Sequence, residues 1–101
     1  MKTSKVLTIA KKYVSRDMSN NAYICIALGI AADKKEIPHE DCQRMRREIH
    51  RLLGRHTSLG QWLLNVHNID VFADSASRYK LQVTRHAWLD HLIAHYKSLG
   101  D

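Results

Sequence analysis

Five arginines stand close together in the middle of the chain: Arg44, Arg46, Arg47, Arg51 and Arg55. Arg44, Arg47, Arg51 and Arg55 are spaced three, four and four apart, so on a helix they form one ridge. A guanidinium ridge can hold phosphates or carboxylates through paired N–H donors. The competing reading is a solvated face, with Asp41 and Glu48 as local ion-pair partners. Arg55 belongs to the ridge only if the helical path continues through Gly54. These four arginines are the candidate anion- or partner-binding residues.

Other chemistry-bearing residues point less clearly. His91 and His95 lie four apart, a spacing that can chelate zinc from one helix turn. The metalloprotease pattern needs glutamate directly after the first histidine, and this chain has Leu92 there. Histidines on the flank of a long helix are the favoured reading, with no metal site and no cofactor. The chain has no Gly-rich phosphate loop and no GxSxG. Cys25 reads as a small apolar core residue rather than a nucleophile. Glu40 and Asp41 read as first-turn partners of a helix dipole. Trp62 and Trp88 could stack on bases, but each is in phase with leucines and reads as a core anchor. The sequence therefore points away from an enzyme.

The elements that must position these residues are helices. Residues 22–32 contain the run Tyr23-Ile24-Cys25-Ile26-Ala27-Leu28-Gly29-Ile30-Ala31-Ala32, which is apolar at every helical angle. About ten residues rise only ~15–17 Å, too short for a membrane span. A central buried helix is expected there. Ala22, Cys25, Gly29 and Ala32 would form a stripe that lets a neighbour approach closely.

Before it, a helix capped by Ser4 or Thr3 is expected to run to about Asp17, with Val6, Ile9, Ala10, Tyr13 and Val14 inward. Asn20 or Asn21 would cap the central helix. Pro38 suits the first position of a third helix, buried through Cys42, Met45, Ile49, Leu52 and Leu53 and stopped by Gly54. Ser58 and Gln61 make a capping box for a short helix anchored by Trp62, Leu63 and Val66. A last helix, capped by Asp74 or Ser75, would run to about Ser98, turning Leu81, Trp88, Leu89, Leu92, Ile93 and Tyr96 inward.

The result is an all-α, single compact domain, residues 1–101, of about five helices around residues 22–32. Scarce glycine, a single proline and the absence of alternating apolar patterns disfavour a β fold. Could the third and fourth helices form a DNA-reading helix-turn-helix? The second of the pair, residues 59–67, has no arginine or lysine, which argues against groove reading.

The formal net charge is +6 and the isoelectric point about 9.6, a bias towards an anionic partner. Two cysteines without CxxC spacing fit a reduced, cytoplasmic setting, and the amino-terminal stretch does not read as a signal peptide. No membrane association is expected, and oligomerisation is left open.

The order Tyr23-Ile24-Cys25-x-Ala27-Leu28, Ile49-x-x-x-Leu53, Leu59-x-x-Trp62-Leu63 and Arg85-x-x-Trp88-Leu89-x-x-Leu92-Ile93 resembles small accessory proteins of tailed bacteriophages. The resemblance covers most of the chain from about residue 22, mainly at core positions. It implies a shared fold and a phage origin, and it transfers no catalytic residue. Many such proteins bind and block a host factor, including defence systems. The implied partner is an acidic host protein or a phosphate-bearing signal nucleotide, met in the host cytoplasm through the basic helical surface. Sequence-blind nucleic-acid binding is the alternative that the same ridge would serve.

Overall fold

The computed structural model describes residues 1–15, 17–19, 22–54, 59–68 and 81–101; for residues 60 and 81–84 it describes the backbone alone. Helix α1 spans Thr3–Lys11, α2 Tyr23–Asp33, α3 His39–Leu53, α4 Leu59–His67 and α5 Leu81–Ser98. There is no strand among the described residues. The Cα radius of gyration is 12.9 Å, close to the ~13 Å of a compact domain of about 100 residues. The architecture is the all-α, five-helix single domain read from the sequence.

Helix α1 begins without a side-chain cap of its own at Lys2. One of its orphan donors is met from the other end of the chain: Ser4 N–H donates to Asp101 Oδ2 at 3.2 Å, and the Ser4 hydroxyl donates to Asp101 Oδ1 at 3.4 Å. Ser4 and Thr3 therefore sit inside the helix rather than capping it. Val6, Leu7 and Ala10 are buried, and α1 packs against α2, α3 and α5.

The helix stops at Lys11, short of the expected Asp17. Tyr13 N–H bonds back to the Ala10 carbonyl and Val14 N–H to that of Lys11, tightening the final turn. Beyond it, the Arg85 guanidinium donates to the carbonyls of Ser15 at 2.6 Å and Met18 at 2.5 Å. Arg85 is only 1% exposed, and its Cζ lies 4.8 Å from the centre of the Tyr23 ring. Carbonyls satisfied by a buried cation do not need a helix to satisfy them.

Helix α2 shares the centre with α1, burying Tyr23, Ile24, Ala27, Leu28 and Ala31. The burial is on one side: Ile26 is 41% exposed, and Cys25, Gly29, Ile30 and Ala32 are half-buried. The expected caps Asn20 and Asn21 lie outside the described residues. The helix ends in a Schellman motif, with Glu36 N–H bonded to Ala31 O, Lys35 N–H to Ala32 O, and Lys35 at φ 60°.

Pro38 is the N-cap of α3 with ψ 145°, one position earlier than expected. Cys42, Met45 and Ile49 are buried, Leu52 and Leu53 are half-buried at the edge, and Gly54 closes the helix at φ 52°. Helix α4 lies on α5 and buries Leu59, Trp62 and Leu63. Val66, expected as an anchor, is 55% exposed. His67 takes the ring contact with Trp62 instead. The expected caps Ser58, Asp74 and Ser75 lie outside the described residues. In α5, Arg85, Trp88, Leu89, Leu92, Ile93 and Tyr96 form the buried stripe.

Candidate functional site

The amphipathic α3 places its acids first and its basic residues later, as the helix dipole favours. Its arginines then divide by what they can reach. Arg44 donates to Thr3 Oγ1 at 3.0 Å and to the Met1 carbonyl at 3.5 Å, and it pairs with Asp41 at 3.4 Å. It stitches α3 to the start of α1. Arg51 is held by Glu48, with Nη2 on Oε1 and Nε 3.0 Å from Oε2. Glu48 Oε1 also accepts from the Tyr96 hydroxyl at 3.1 Å, which ties α3 to α5.

Electrostatics follow this geometry. The Arg51 hydrogen bonds hold the Glu48 carboxyl below the usual glutamate range, with a smaller pull from the Tyr96 hydroxyl. Burial, reinforced by the Glu48 charge, pushes the Tyr96 hydroxyl up. Arg47 is exposed and makes no hydrogen bond or ion pair among the described residues. Arg55 lies outside the described residues. The ridge thus comes down to Arg47, facing solvent, and Arg51, 70% exposed beside a carboxylate it can exchange.

Arg46, which is off the ridge, turns inward. Its Nη2 donates to the Cys25 carbonyl at 3.1 Å and lies over Gly29. The small-residue stripe of α2 therefore receives a guanidinium, not a neighbouring backbone. Cys25 and Cys42 are free thiols, and burial pushes the Cys25 thiol up, against the opposing pull of Arg46. A thiol so placed is a poor nucleophile.

At the α1–α2 corner, Glu36 accepts from the Tyr13 hydroxyl and pairs with Lys12 Nζ at 2.9 Å. The tyrosine hydrogen bond, then Lys12, holds the Glu36 carboxyl below its usual range. Lys12 and Lys34 lie 5.6 and 5.8 Å from the centre of the Tyr13 ring.

The histidines give the clearest surprise. His91 and His95 are joined by His67 from α4 around an open cavity of about 260 Å³, also lined by Leu63, Ala94 and Ser98. The His67 and His95 ring centres are 5.2 Å apart, and Trp62 stands edge-on to both, at 4.5 and 5.5 Å. Burial, then the charges His95 and His91 can carry, push the His67 imidazole below its usual range. No sequence signal marks His67 as a partner, because its neighbours belong to another helix. Among the described residues, no group of three His, Cys, Asp or Glu could hold a metal ion.

Trp62 and Trp88 are both buried, which leaves neither free to stack on a base. Among the described residues, no helix is long and apolar enough to cross a membrane. The class of protein these observations define is a basic, all-α domain with a guanidinium-bearing helix face. Compared with family models, curated proteins and solved structures, the chain matches none.

Proposed function

We propose that the chain is a non-enzymatic binding protein that docks the exposed flank of α3 on an acidic surface of another macromolecule. In the setting implied by the phage resemblance, that macromolecule is a host factor, including a defence component, which the docking neutralises. The observation that carries the reading is the pair Arg47 and Arg51, one turn apart on α3 and both exposed. Arg44 is occupied by Thr3 and Asp41. A compact phosphate site needs several converging donors, so one unpaired guanidinium, Arg47, beside Arg51 already bonded to Glu48 suits an extended carboxylate surface better than a signal nucleotide.

The test compares wild type with Arg47→Gln/Arg51→Gln in co-purification from host cells and in a salt titration of generic DNA and RNA. One defined protein complex, lost in the double variant, is expected. Nucleic acid should bind poorly at physiological salt. Tight, sequence-blind binding whose log–log salt slope flattens by about two units in the variant would establish nucleic acid as the partner instead. Identical behaviour of both proteins in every assay would reduce α3 to a solvated face. Matching melting curves guard against a folding defect.

A further inference from the structure

The two cations on the exposed flank of α3 differ in what they already hold. Arg47 is exposed and has no partner among the described residues, whereas Arg51, one turn later, carries a carboxylate of its own chain. Glu48 meets the side edge of that guanidinium: Oε2 accepts from Nε at 3.0 Å, and Oε1 accepts from Nη2. Paired N–H donors on two carboxylate oxygens are how a guanidinium binds a carboxylate from any source. Resting on the docking function proposed for this flank, we propose that Glu48 is an internal competitor, standing on Arg51 where a carboxylate of the acidic partner stands once docked. The contact is autoinhibitory, and docking exchanges one carboxylate for another.

The pair is built to exchange. The Arg51 side chain is 70% exposed and that of Glu48 26%, so Arg51 is the member free to turn outward. An exposed pair at this spacing is held weakly, because solvent competes for both charges. Glu48 keeps partners after Arg51 leaves. Its Oε1 accepts from the buried Tyr96 hydroxyl at 3.1 Å. Behind Arg51 and Tyr96, Arg44, one turn earlier on α3, also helps hold the Glu48 carboxyl below its usual range. Arg44 itself is tied to Thr3 and Asp41 and stays in place. The exchange therefore leaves no charge stranded.

The same contact sets what the partner must offer. While Glu48 holds Arg51 that pair is neutral, and Arg47 alone draws an acidic surface. A single carboxylate is satisfied by Arg47. Two carboxylates ~6 Å apart, the rise of four helical residues, can engage both cations. Contact at Arg47 then raises the effective concentration of the second carboxylate at Arg51, where it displaces Glu48. The occupant is a segment with paired acidic side chains.

The probe is a poly-glutamate peptide, titrated by calorimetry at physiological salt into the full chain. Wild type is compared with Glu48→Gln, Arg51→Gln and the two combined. Glu48→Gln should bind the peptide about two- to fivefold more tightly than wild type, the range set by releasing an exposed ion pair. In the Arg51→Gln background the same change should have little effect, because no guanidinium is left to release. The Arg51 Nε–H signal, followed by NMR, should shift when peptide is added to wild type. Glutamine keeps the shape of Glu48 and can still accept from Tyr96, and melting curves verify each fold. An equal gain in both backgrounds overturns the competitor, since Glu48 then acts only through its charge. An unchanged or weaker complex in Glu48→Gln overturns it as well. If binding is lost in Arg47→Gln/Arg51→Gln yet indifferent to Glu48→Gln, the docking flank stands and the competitor alone falls. Failure of every protein to bind the peptide removes both.

Discussion

Gly29 shows how one missing methyl group can position a charge. A Cβ at this position would lie 2.5 Å from Arg46 Nη2, well inside van der Waals contact. The guanidinium end can swing away, so the consequence of Gly29→Ala is loss of its bond to Cys25 O rather than a backbone clash. Hydrogen bonds to charged groups are worth about 1.5–3 kcal/mol, whereas alanine gains only about 1 kcal/mol of helix propensity over glycine. Gly29→Ala should therefore destabilise the domain by about 1 kcal/mol. In an Arg46→Ala background the same change should stabilise it by up to about 1 kcal/mol. Urea unfolding of the four proteins measures the cycle. The same sign in both backgrounds would mean that Arg46 does not need the glycine.

At the scale of elements, α3 is fastened to its neighbours by polar ties as well as by its apolar stripe. Arg44 joins it to Thr3, and Glu48 joins it to Tyr96 of α5. The Glu48 carboxyl is held below its usual range in the fold. Its stabilising contribution is thus complete above the unfolded glutamate value, ~4.3, and is lost as pH falls through the lower folded value. Melting temperature should fall on acidification, and Glu48→Gln should flatten part of that decline. Glu36, also held low by Tyr13 and Lys12, keeps the remainder. Parallel melting curves from pH 7 to about 3 for the two proteins would remove Glu48 from the acid response.

The whole molecule depends on α1 and α2 sharing one core. Leu28 is fully buried within it, beside Ala27 and Ala31 on the same face of α2. Leu28→Asp would place an unpaired charge there, at a cost of several kcal/mol against a total stability of ~5–15 kcal/mol for a domain of this kind. Loss of the cooperative thermal transition is expected. A transition near that of the parent protein would show that the core lies elsewhere. Arg85 completes the assembly by pinning the α1–α2 connection through the carbonyls of Ser15 and Met18.

The sequence by itself determined the all-α class, the apolar 22–32 segment, the buried stripe of α3 through Ile49, and the stop at Gly54. These are local properties: helical period, apolar spacing and backbone freedom act within a few residues of one another. Only the tertiary structure decided the fate of each charged or ring side chain. Four arginines on one helix look alike in sequence. Arg44 finds Thr3, 41 positions away, and Arg46 finds the Cys25 carbonyl, 21 positions away. Arg47 meets solvent. Periodicity fixes the angle at which a side chain leaves its helix, but not which neighbour stands at that angle. For the same reason, His91 and His95 were legible as a pair, while His67 joins them only because α4 packs on α5.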